Sequence, residues 1–506
     1  MTSIDSWIAH WAAHRPNHPA LEFEGVETSY RELHQLVLTM ADRLLVEGVR
    51  SHDRVAFCGL NRPEQLTALF ACARLGAVLL PLNNRLSVGE HRFQIEDATP
   101  TLALVTDGFG ETLAEAAPDL RIVDLDSGSS PAESATDDRQ TSEANTGTNI
   151  AVGGADDPVL MVYTSGTTGE PKGAVHTQAS LLYTVLNGVA HQDLAADDRI
   201  LTVLPLFHVG GLNIQTLPAL YVGATVHLQR RFDPGACIAA ISQHRPTQTL
   251  FVPAVMDAVL RHPDLDSVDI GCLRGINSGS SVVPEHLIRP FLDGGVPVGQ
   301  VYGSTETGPT AIVLRYEDGA DHVGSCGKPA LHTEVRIVDG NGDEVEQGIA
   351  GEVLVRGPNL FVEYWNRPRA TDEAFTDGWF RTGDVARQDA DGFIFVEDRL
   401  GDVLISGGEN IYPAELENIL IEHPAIAQVA VIGREDERWG EIPVAFIKAV
   451  ADQTPPTVDE LQQWCANRLA RFKQPREVVV VDELPMTALG KVTKHVLRKQ
   501  LSQDIG

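Results

Sequence analysis

A loop rich in hydroxyl residues and glycine is the strongest chemical signal in this sequence. It follows the apolar segment 159–162 and reads Tyr163-Thr164-Ser165-Gly166-Thr167-Thr168-Gly169-Glu170-Pro171-Lys172-Gly173. Glycines let a backbone approach a ligand closely, and hydroxyl and amide groups donate hydrogen bonds to phosphate oxygens. Lys172 adds a positive charge, whereas Pro171 is incompatible with the P-loop of nucleoside triphosphatases. The pattern indicates phosphate binding, although the same composition is also typical of an ordinary surface loop.

The ordered string resembles the phosphate-binding signature of the adenylate-forming superfamily, which contains acyl-CoA synthetases, adenylation domains and luciferases. Further segments match that superfamily in the same order, so the resemblance spans nearly the whole chain: 202–211, 275–281, 300–307, 379–384, 398–402, 406–413 and 485–491. The resemblance implies an enzyme that activates a carboxylic acid with ATP and Mg²⁺ through an acyl-adenylate. The acyl group then passes to coenzyme A.

The resemblance implies a nucleotide site assembled from several of these segments. Tyr302 would offer its ring face to adenine, Thr305 a hydroxyl to the α-phosphate, and Glu306 a hard oxygen ligand to Mg²⁺. Asp384 would accept from the ribose hydroxyls, and Arg399 would be a second ribose or phosphate contact. The predicted nucleotide-binding residues are Thr164, Ser165, Gly166, Thr167, Thr168, Gly169, Lys172, Ser278, Gly279, Ser280, Tyr302, Gly303, Ser304, Thr305, Asp384, Arg399 and Lys491.

The resemblance also implies sites for the acid and for coenzyme A. His208 is expected at the mouth of the acyl pocket, although a histidine that merely ends a buried strand is about equally expected. The predicted acyl-pocket residues are His208, Val209, Gly210, Gly211, Asn277 and Gly303. The predicted coenzyme A tunnel consists of Ser406, Gly407, Gly408, Glu409 and Asn410.

The predicted catalytic residues are Lys491, Lys172, Glu306 and His208. The acid is already ionised at neutral pH, because the pKa of a carboxyl group is about 4. The first step therefore needs no general base. The obstacle is electrostatic, since an anion must attack an anion while charge builds on the α-phosphate and the departing pyrophosphate. Positive groups and amide donors beside the α-phosphate and the pyrophosphate would stabilise this negative charge.

The elements that must position these residues alternate between strands and helices. A capped amphipathic helix is predicted over 28–48, with Thr28 or Ser29 as its N-cap, followed by a strand at 55–59, a helix at 64–75 and a strand at 78–82. The polar segment 126–157 is interpreted as a surface linker. From residue 334 the apolar residues alternate with period two, which favours an antiparallel, barrel-like β subdomain. A strand at 428–432 and a helix at 457–471 indicate a small terminal unit.

The predicted fold class is therefore α/β. It comprises a large N-terminal domain of α/β subdomains with a β-barrel-like subdomain, and a small, mobile α+β C-terminal domain. By resemblance, we expect an AMP-binding domain over 1–398, a hinge over 399–402 with Gly401 as its pivot, and a lid domain over 403–506. Glycine suits a pivot because it tolerates large changes in φ and ψ.

Composition restricts the partners. The net charge of −31 argues against nucleic acid, which binds basic surfaces. We find no apolar stretch long enough for a membrane helix and no signal sequence at the N-terminus. The six cysteines form no CxxC pair, which favours free thiols in a reducing compartment. We predict a cytoplasmic monomer or homodimer that binds a small carboxylic acid, ATP and coenzyme A.

The acid is predicted to be an aryl or hydroxycinnamic acid such as ferulate, because the wording of 299–310 is similar to that of aryl, feruloyl-type and medium-chain acyl-CoA ligases. A medium- or long-chain fatty acid is the alternative. A stand-alone amino-acid adenylation domain fits less well, since such domains place Asp near the position of His208. A luciferase-like oxygenase shares these motifs, and a non-catalytic nucleotide-binding regulator would be expected to have lost them.

Replacement of Lys491 by Ala should slow acyl-adenylate formation by about 10²–10³-fold, because one preorganised donor to the reacting phosphate is lost. Pyrophosphate release measured without coenzyme A isolates this half-reaction. A wild-type rate in Lys491→Ala would exclude the predicted role.

Overall fold

The computed structural model describes residues 3–127, 153–164, 171–279, 283–406, 409–436, 439–466, 468–469, 471–486 and 492–503. The strands of these residues, numbered β1–β26 in chain order, are Pro19–Phe23, Val26–Ser29, Arg54–Cys58, Val78–Pro81, Leu102–Val105, Ile122–Asp124, Pro158–Thr164, Lys172–Thr177, Arg199–Thr202, Thr225–Leu228, Gln248–Phe251, Gly275–Gly279, Val298–Tyr302, Ile312–Leu314, Lys328–Pro329, Glu334–Val338, Gly351–Arg356, Glu363–Tyr364, Phe375–Thr376, Trp379–Gln388, Ile394–Arg399, Leu404–Ser406, Glu409–Ile411, Ile426–Asp436, Gly440–Ala449 and Glu477–Val480.

The α-helices, numbered α1–α15 in the same way, are Ser6–His14, Tyr30–Val46, Pro63–Leu75, Val88–Ala98, Gly110–Ala116, Gln178–Gln192, Val209–Gly211, Leu217–Val222, Pro234–His244, Pro253–Leu260, Glu285–Asp293, Pro368–Ala374, Pro413–Leu420, Val458–Cys465 and Lys494–Gln503. A π-helical turn spans Leu212–Thr216, and 3₁₀ turns span Pro263–Ser267, Thr305–Thr307 and Arg471–Lys473. In the part of the chain that the structure describes, no helix is both long and apolar enough to span a bilayer.

Two mostly parallel sheets form the large N-terminal part. One sheet has the order β15-β14-β13-β12-β11-β9-β10-β1-β2, and the other has the order β18-β8-β7-β4-β3-β5-β6. Their central strands, such as β3, β4 and β5, are nearly continuous apolar runs because helices cover both faces of such sheets. Antiparallel strands occur at the edges, where β2, β14 and β15 close the first sheet and β8 and β18 close the second.

Two smaller sheets follow. Strands β16, β17, β20, β19 and β21 pair antiparallel, as the period-two pattern from residue 334 predicts. The terminal unit contains β23-β22-β25-β24, with β26 parallel to β25. The predicted α/β class with a small α+β terminal unit is confirmed.

Local sequence signals place the helices well. Helix α2 begins after Ser29, which forms a capping box with Glu32, so Ser29 rather than Thr28 is the N-cap. Helix α3 has Pro63 at its first turn and ends at Gly76, whose φ of +67° is the left-handed conformation that favours glycine. The helix predicted over 457–471 ends earlier, at Cys465. Residues 128–152 of the predicted linker lie outside the described residues.

Two buried histidines hydrogen-bond elements that are distant in the chain. His176 on β8 donates its Nε2 hydrogen to the carbonyl oxygen of Thr305, which follows β13 (2.8 Å). His191, at the end of α6, bonds through Nε2 to Oδ1 of Asn277 on β12 (2.9 Å). Burial lowers the pKa of both imidazoles to about 4, so they are neutral donors near pH 7.

The free energy of unfolding should fall as the pH decreases from about 6.5 to about 4. Unfolded histidines take up protons in that range, whereas buried His176 and His191 do not, so acid favours the unfolded chain. Each such proton contributes a slope of about 1.4 kcal/mol per pH unit. His191→Gln keeps an amide donor but does not titrate, and its slope should be shallower by up to this amount. Urea unfolding across this pH range measures the slope. An unchanged slope in His191→Gln would contradict the assignment.

Candidate active site

Four of the segments selected from the sequence reach the carboxyl ends of strands in the two large sheets. Thr164 ends β7, the segment containing His208 follows β9, Gly279 ends β12, and residues 303–307 follow β13. In open α/β sheets, ligands bind beyond the carboxyl ends of the strands. Because β7 belongs to one sheet and the other strands to the second, the cleft lies where the two sheets meet.

Lys172, Tyr364 and Glu306 form one side of this cleft. The Lys172 ammonium lies 5.1 Å from the centre of the Tyr364 ring, and β8 pairs with β18 to bring these residues together. The Tyr364 hydroxyl donates to Oε1 of Glu306 at 2.8 Å. Burial, with help from the Glu306 charge, raises the pKa of Tyr364, so this hydroxyl is a donor at any physiological pH. The arrangement places a cation and a carboxylate on the two sides of one phenol.

Tyr302, Asp384 and Arg399 form a second group. The Tyr302 hydroxyl donates to Oδ2 of Asp384 at 2.7 Å, and Nε of Arg399 lies 3.1 Å from Oδ1 of the same carboxylate. Strands β20 and β21 hold Asp384 directly opposite Arg399. Burial alone would lower the pKa of Arg399, but the carboxylate charges, chiefly that of Asp384 and with a smaller effect that of Glu306, raise it, which links the two groups electrostatically.

The turn that carries Glu306 is fixed from several sides. His176 binds the carbonyl oxygen of Thr305, and the amide of Phe361 donates to the carbonyl oxygen of Glu306 at 2.8 Å. A Cβ atom at Gly303 would lie only 1.8 Å from the carbonyl oxygen of Pro309. Only glycine therefore fits at residue 303. Because glycine has no Cβ atom, the turn can lie this close to the backbone of Pro309.

Several other predicted residues have polar groups that bond within the protein. Ser278 is fully buried, and its hydroxyl donates to the carbonyl oxygen of Phe251 at 2.7 Å. Asn277 is also fully buried, and its amide donates to Gln192 and Tyr316. The acyl-pocket role of Asn277 stays a prediction, but its polar atoms already have protein partners.

The segment containing His208 borders open space. The ring of His208 lies 4.7 Å from that of Phe207, and Nε2 of His208 is buried without a hydrogen-bond partner among the described residues. Burial, with a smaller effect of the nearby Arg85 charge, lowers the pKa of His208 to about 4. A Cβ atom at Gly210 would meet nothing within 4 Å, whereas one at Gly211 would lie 2.3 Å from the carbonyl oxygen of Pro205. Val209 is buried beside them.

The remaining predicted residues are only partly covered by the description. Thr164 ends β7, Gly279 ends β12, Ser304 precedes the 3₁₀ turn, and Ser406 is a buried residue of β22. Glu409 and Asn410 belong to β23, which pairs with β22. The predicted residues outside the described ranges are Ser165, Gly166, Thr167, Thr168, Gly169, Ser280, Gly407, Gly408 and Lys491.

The sequence matches the models of two known protein families. The model of the AMP-binding enzyme family matches residues 8–365, and the model of the AMP-binding enzyme C-terminal domain matches residues 415–491. The chain belongs to the AMP-binding enzyme family. This AMP-binding enzyme is 44% identical to the indoleacetate–CoA ligase of Aromatoleum aromaticum, with 99% of this chain and 98% of the relative covered. It is 41% identical to a feruloyl-CoA synthase of Amycolatopsis sp., with 98% and 99% covered.

Solved structures give the same family. The AMP-binding enzyme matches o-succinylbenzoate CoA synthetase from Bacillus subtilis in complex with the acyl-adenylate intermediate OSB-AMP at a TM-score of 0.86 and 32% identity, with 99% of this chain and 98% of that chain covered. The same synthetase in complex with ATP and magnesium ion matches at a TM-score of 0.85, with 97% and 99% covered. The chain is therefore an ATP-dependent acid–thiol ligase that forms AMP.

Glu306 has the chemistry that Mg²⁺ requires. Mg²⁺ in nucleotide sites binds one or two carboxylates together with phosphate oxygens. Glu306 is 9% exposed, and Tyr364 fixes the orientation of its carboxylate through Oε1. The donor set of this AMP-binding enzyme therefore fits the ion, and Glu306 is the residue that would hold it.

Sequence reasoning missed two residues of the site. Tyr364 lies outside every motif quoted from the sequence, and its contact with Glu306 spans 58 residues. His176 was missed because a histidine within an apolar strand is most often a core residue. A sequence signal exists only for His176, which lies three residues after the hydroxyl-rich loop, whereas Tyr364 reaches Lys172 through the pairing of β18 with β8.

Tyr364→Phe should lower kcat/KM for Mg-ATP in adenylation by about 10- to 100-fold, because a hydrogen bond to a charged group is worth about 1.5–3 kcal/mol. The phenyl ring still offers its face to Lys172, so the variant removes the Glu306 contact alone. Pyrophosphate release over a range of Mg²⁺ concentrations provides the measurement. Tyr221→Phe, whose ring packs on Trp7, is the matched control and should resemble the wild type. Wild-type kinetics in Tyr364→Phe would show that Tyr364 does not position Glu306.

Proposed function

We propose that this ligase activates an aryl-substituted carboxylic acid, either an arylacetic or a hydroxycinnamic acid, and transfers it to coenzyme A. The relatives with 44% and 41% identity are described as ligases of indoleacetate and ferulate. Both acids carry a flat ring on a short acidic arm. Long-chain fatty-acid and 2-succinylbenzoate ligases are also similar to this chain, at 35% identity.

The observation that carries the proposal is the uncharged aromatic pair formed by Phe207 and His208. Because the pKa of His208 is lowered to about 4, its ring is neutral at physiological pH and presents an aromatic surface. Aromatic rings pair with one another in offset or edge-to-face geometry, with about 0.5–1.5 kcal/mol beyond the buried area. Open space beside Gly210 leaves room for a substrate ring. These features favour an aryl group over a flexible alkyl chain.

The chemistry of the first step follows from the charges of the cleft. The carboxylate oxygen of the acid attacks the α-phosphorus of ATP, the bond to the bridging oxygen breaks, and pyrophosphate leaves with its electron pair. Lys172 and Lys491 would donate to the phosphate oxygens that gain charge. Mg²⁺ held by Glu306 would neutralise part of the charge on the leaving group. Asp384 and Arg399 would keep the ribose in place.

The second step requires a different arrangement, and we propose residues 399–402 as the hinge between residues 1–398 and 403–506. The turn is closed by the amide of Asp402, which donates to the carbonyl oxygen of Arg399 at 2.8 Å. Gly401 is exposed and has no atom within 4 Å of its Cβ position. Proline at residue 401 fixes φ and restricts Leu400. Gly401→Pro should therefore slow thioester formation more than adenylation, and equal slowing of both would contradict a hinge.

A substrate panel tests the proposed acid. The ligase is assayed for coenzyme A thioester formation with indole-3-acetate, phenylacetate, ferulate, 2-succinylbenzoate and saturated acids from acetate to palmitate. The highest kcat/KM is expected with an arylacetic or hydroxycinnamic acid. 2-Succinylbenzoate is included because Arg85 lies near His208 and could favour a second carboxylate. A Glu306→Ala variant controls for contaminating ligases. A preference for long saturated acids or for 2-succinylbenzoate would overturn the proposal.

A further inference from the structure

A compact group of possible metal ligands lies outside the active site. Glu22 on β1 and His227 on β10 are directly opposite each other in the parallel pairing of these strands, so their side chains share one face of the sheet. His244 is the last residue of α9, and the centre of its ring lies 4.5 Å from that of His227. One ligand atom from each of the three residues lies within 4.8 Å of the others. None of them belongs to the active-site set described above.

The distances are within about 0.6 Å of those in a tetrahedral ion site. Oε2 of Glu22 lies 2.9 Å from Nδ1 of His227, with which it forms a hydrogen bond, and 3.9 Å from Nε2 of His244. Tetrahedral zinc with bonds of about 2.0–2.1 Å separates its ligand atoms by about 3.3 Å. The two observed distances lie on either side of this value. The amide of Gly25 donates to Oε1 of Glu22 at 2.7 Å, which leaves Oε2 oriented toward the histidines.

The charge balance also favours a cation. The Glu22 side chain is 11% exposed and that of His227 is 8% exposed, and a buried carboxylate is costly unless a positive charge accompanies it. Within the described ranges, the ion-pair partners of Glu22 are these two histidines, with no Lys or Arg among them. The His244 side chain is 33% exposed, which gives an ion a path from solvent.

We propose that Glu22, His227 and His244 bind a divalent transition-metal ion of the zinc type, with the fourth position open to water. Two imidazoles and one carboxylate are a ligand set that suits such ions better than Mg²⁺. The ion would connect strand β1, which lies next to the edge strand β2, to α9. It would therefore stabilise the N-terminal part of the fold and take no part in acyl transfer.

The experiment must separate this site from other histidines. His10 and His14 stack on α1 with ring centres 4.2 Å apart, and such an i,i+4 pair can also bind zinc. Full-length protein freed of metal with a chelator is titrated with Zn²⁺ by calorimetry, and thermal melting is recorded with and without the ion. The wild type should bind one tight equivalent and melt at a higher temperature with zinc. His14→Ala should retain both effects.

Substitution of the exposed ligand gives the decisive comparison. His244→Ala should weaken the tight site by at least about tenfold, since even an outer-sphere partner of a metal ligand contributes about 10–100-fold to affinity. His244→Cys replaces an imidazole with a thiolate, and its Co²⁺ complex should gain a sulfur-to-metal charge-transfer band that the wild type lacks. The proposal fails if the wild type binds no tight zinc, if His244→Ala binds like the wild type, or if His244→Cys shows no such band. In that event, Glu22 and His227 form only a hydrogen-bonded pair.

Discussion

The active site depends on keeping opposite charges close without letting them neutralise one another. Lys172 and Glu306 both contact Tyr364, one through the face of the ring and the other through the hydroxyl. A direct Lys–Glu ion pair would engage the two groups that are proposed to bind ATP and Mg²⁺. The intervening phenol contacts each group separately, so both would be available to the triphosphate in the proposed mechanism. This matters in a protein with a net charge of −31, whose overall field repels anionic substrates.

The contact between the two large sheets fixes the positions of the charged residues. The neutral imidazole of His176 bridges β8 and the Thr305 turn, and Gly303 permits a backbone approach that no side chain would allow. A charged group at the position of His176 would require a counter-ion in a buried place. The rigidity of the site therefore comes from the neutral hydrogen bond of His176 and from the absence of a side chain at Gly303. Neither His176 nor Gly303 is proposed to react with the substrates. Both residues position the side chains that are.

The choice of acid is decided separately from the fold. Relatives similar in structure or in sequence are described as acting on o-succinylbenzoate, indoleacetate and ferulate. The proposed nucleotide site uses residues from both sheets, whereas the proposed acyl pocket depends on a short segment after β9. Small changes at Phe207, His208 or Gly210 can therefore alter the pocket without disturbing the nucleotide site. Such a division allows one fold to serve many substrates.

The sequence alone determined the family and the α/β class, and it supplied the candidate nucleotide-site residues, because ordered short motifs and the periodicity of apolar residues are local properties. The capped helix after Ser29 and the antiparallel strands after residue 334 are examples. Only the tertiary structure showed that Tyr364 separates Lys172 from Glu306, that Asn277 bonds inward, and that Glu22 meets two distant histidines. These contacts join residues from 39 to more than 200 positions apart. Strand register and sheet docking bring them together, and no local pattern encodes either.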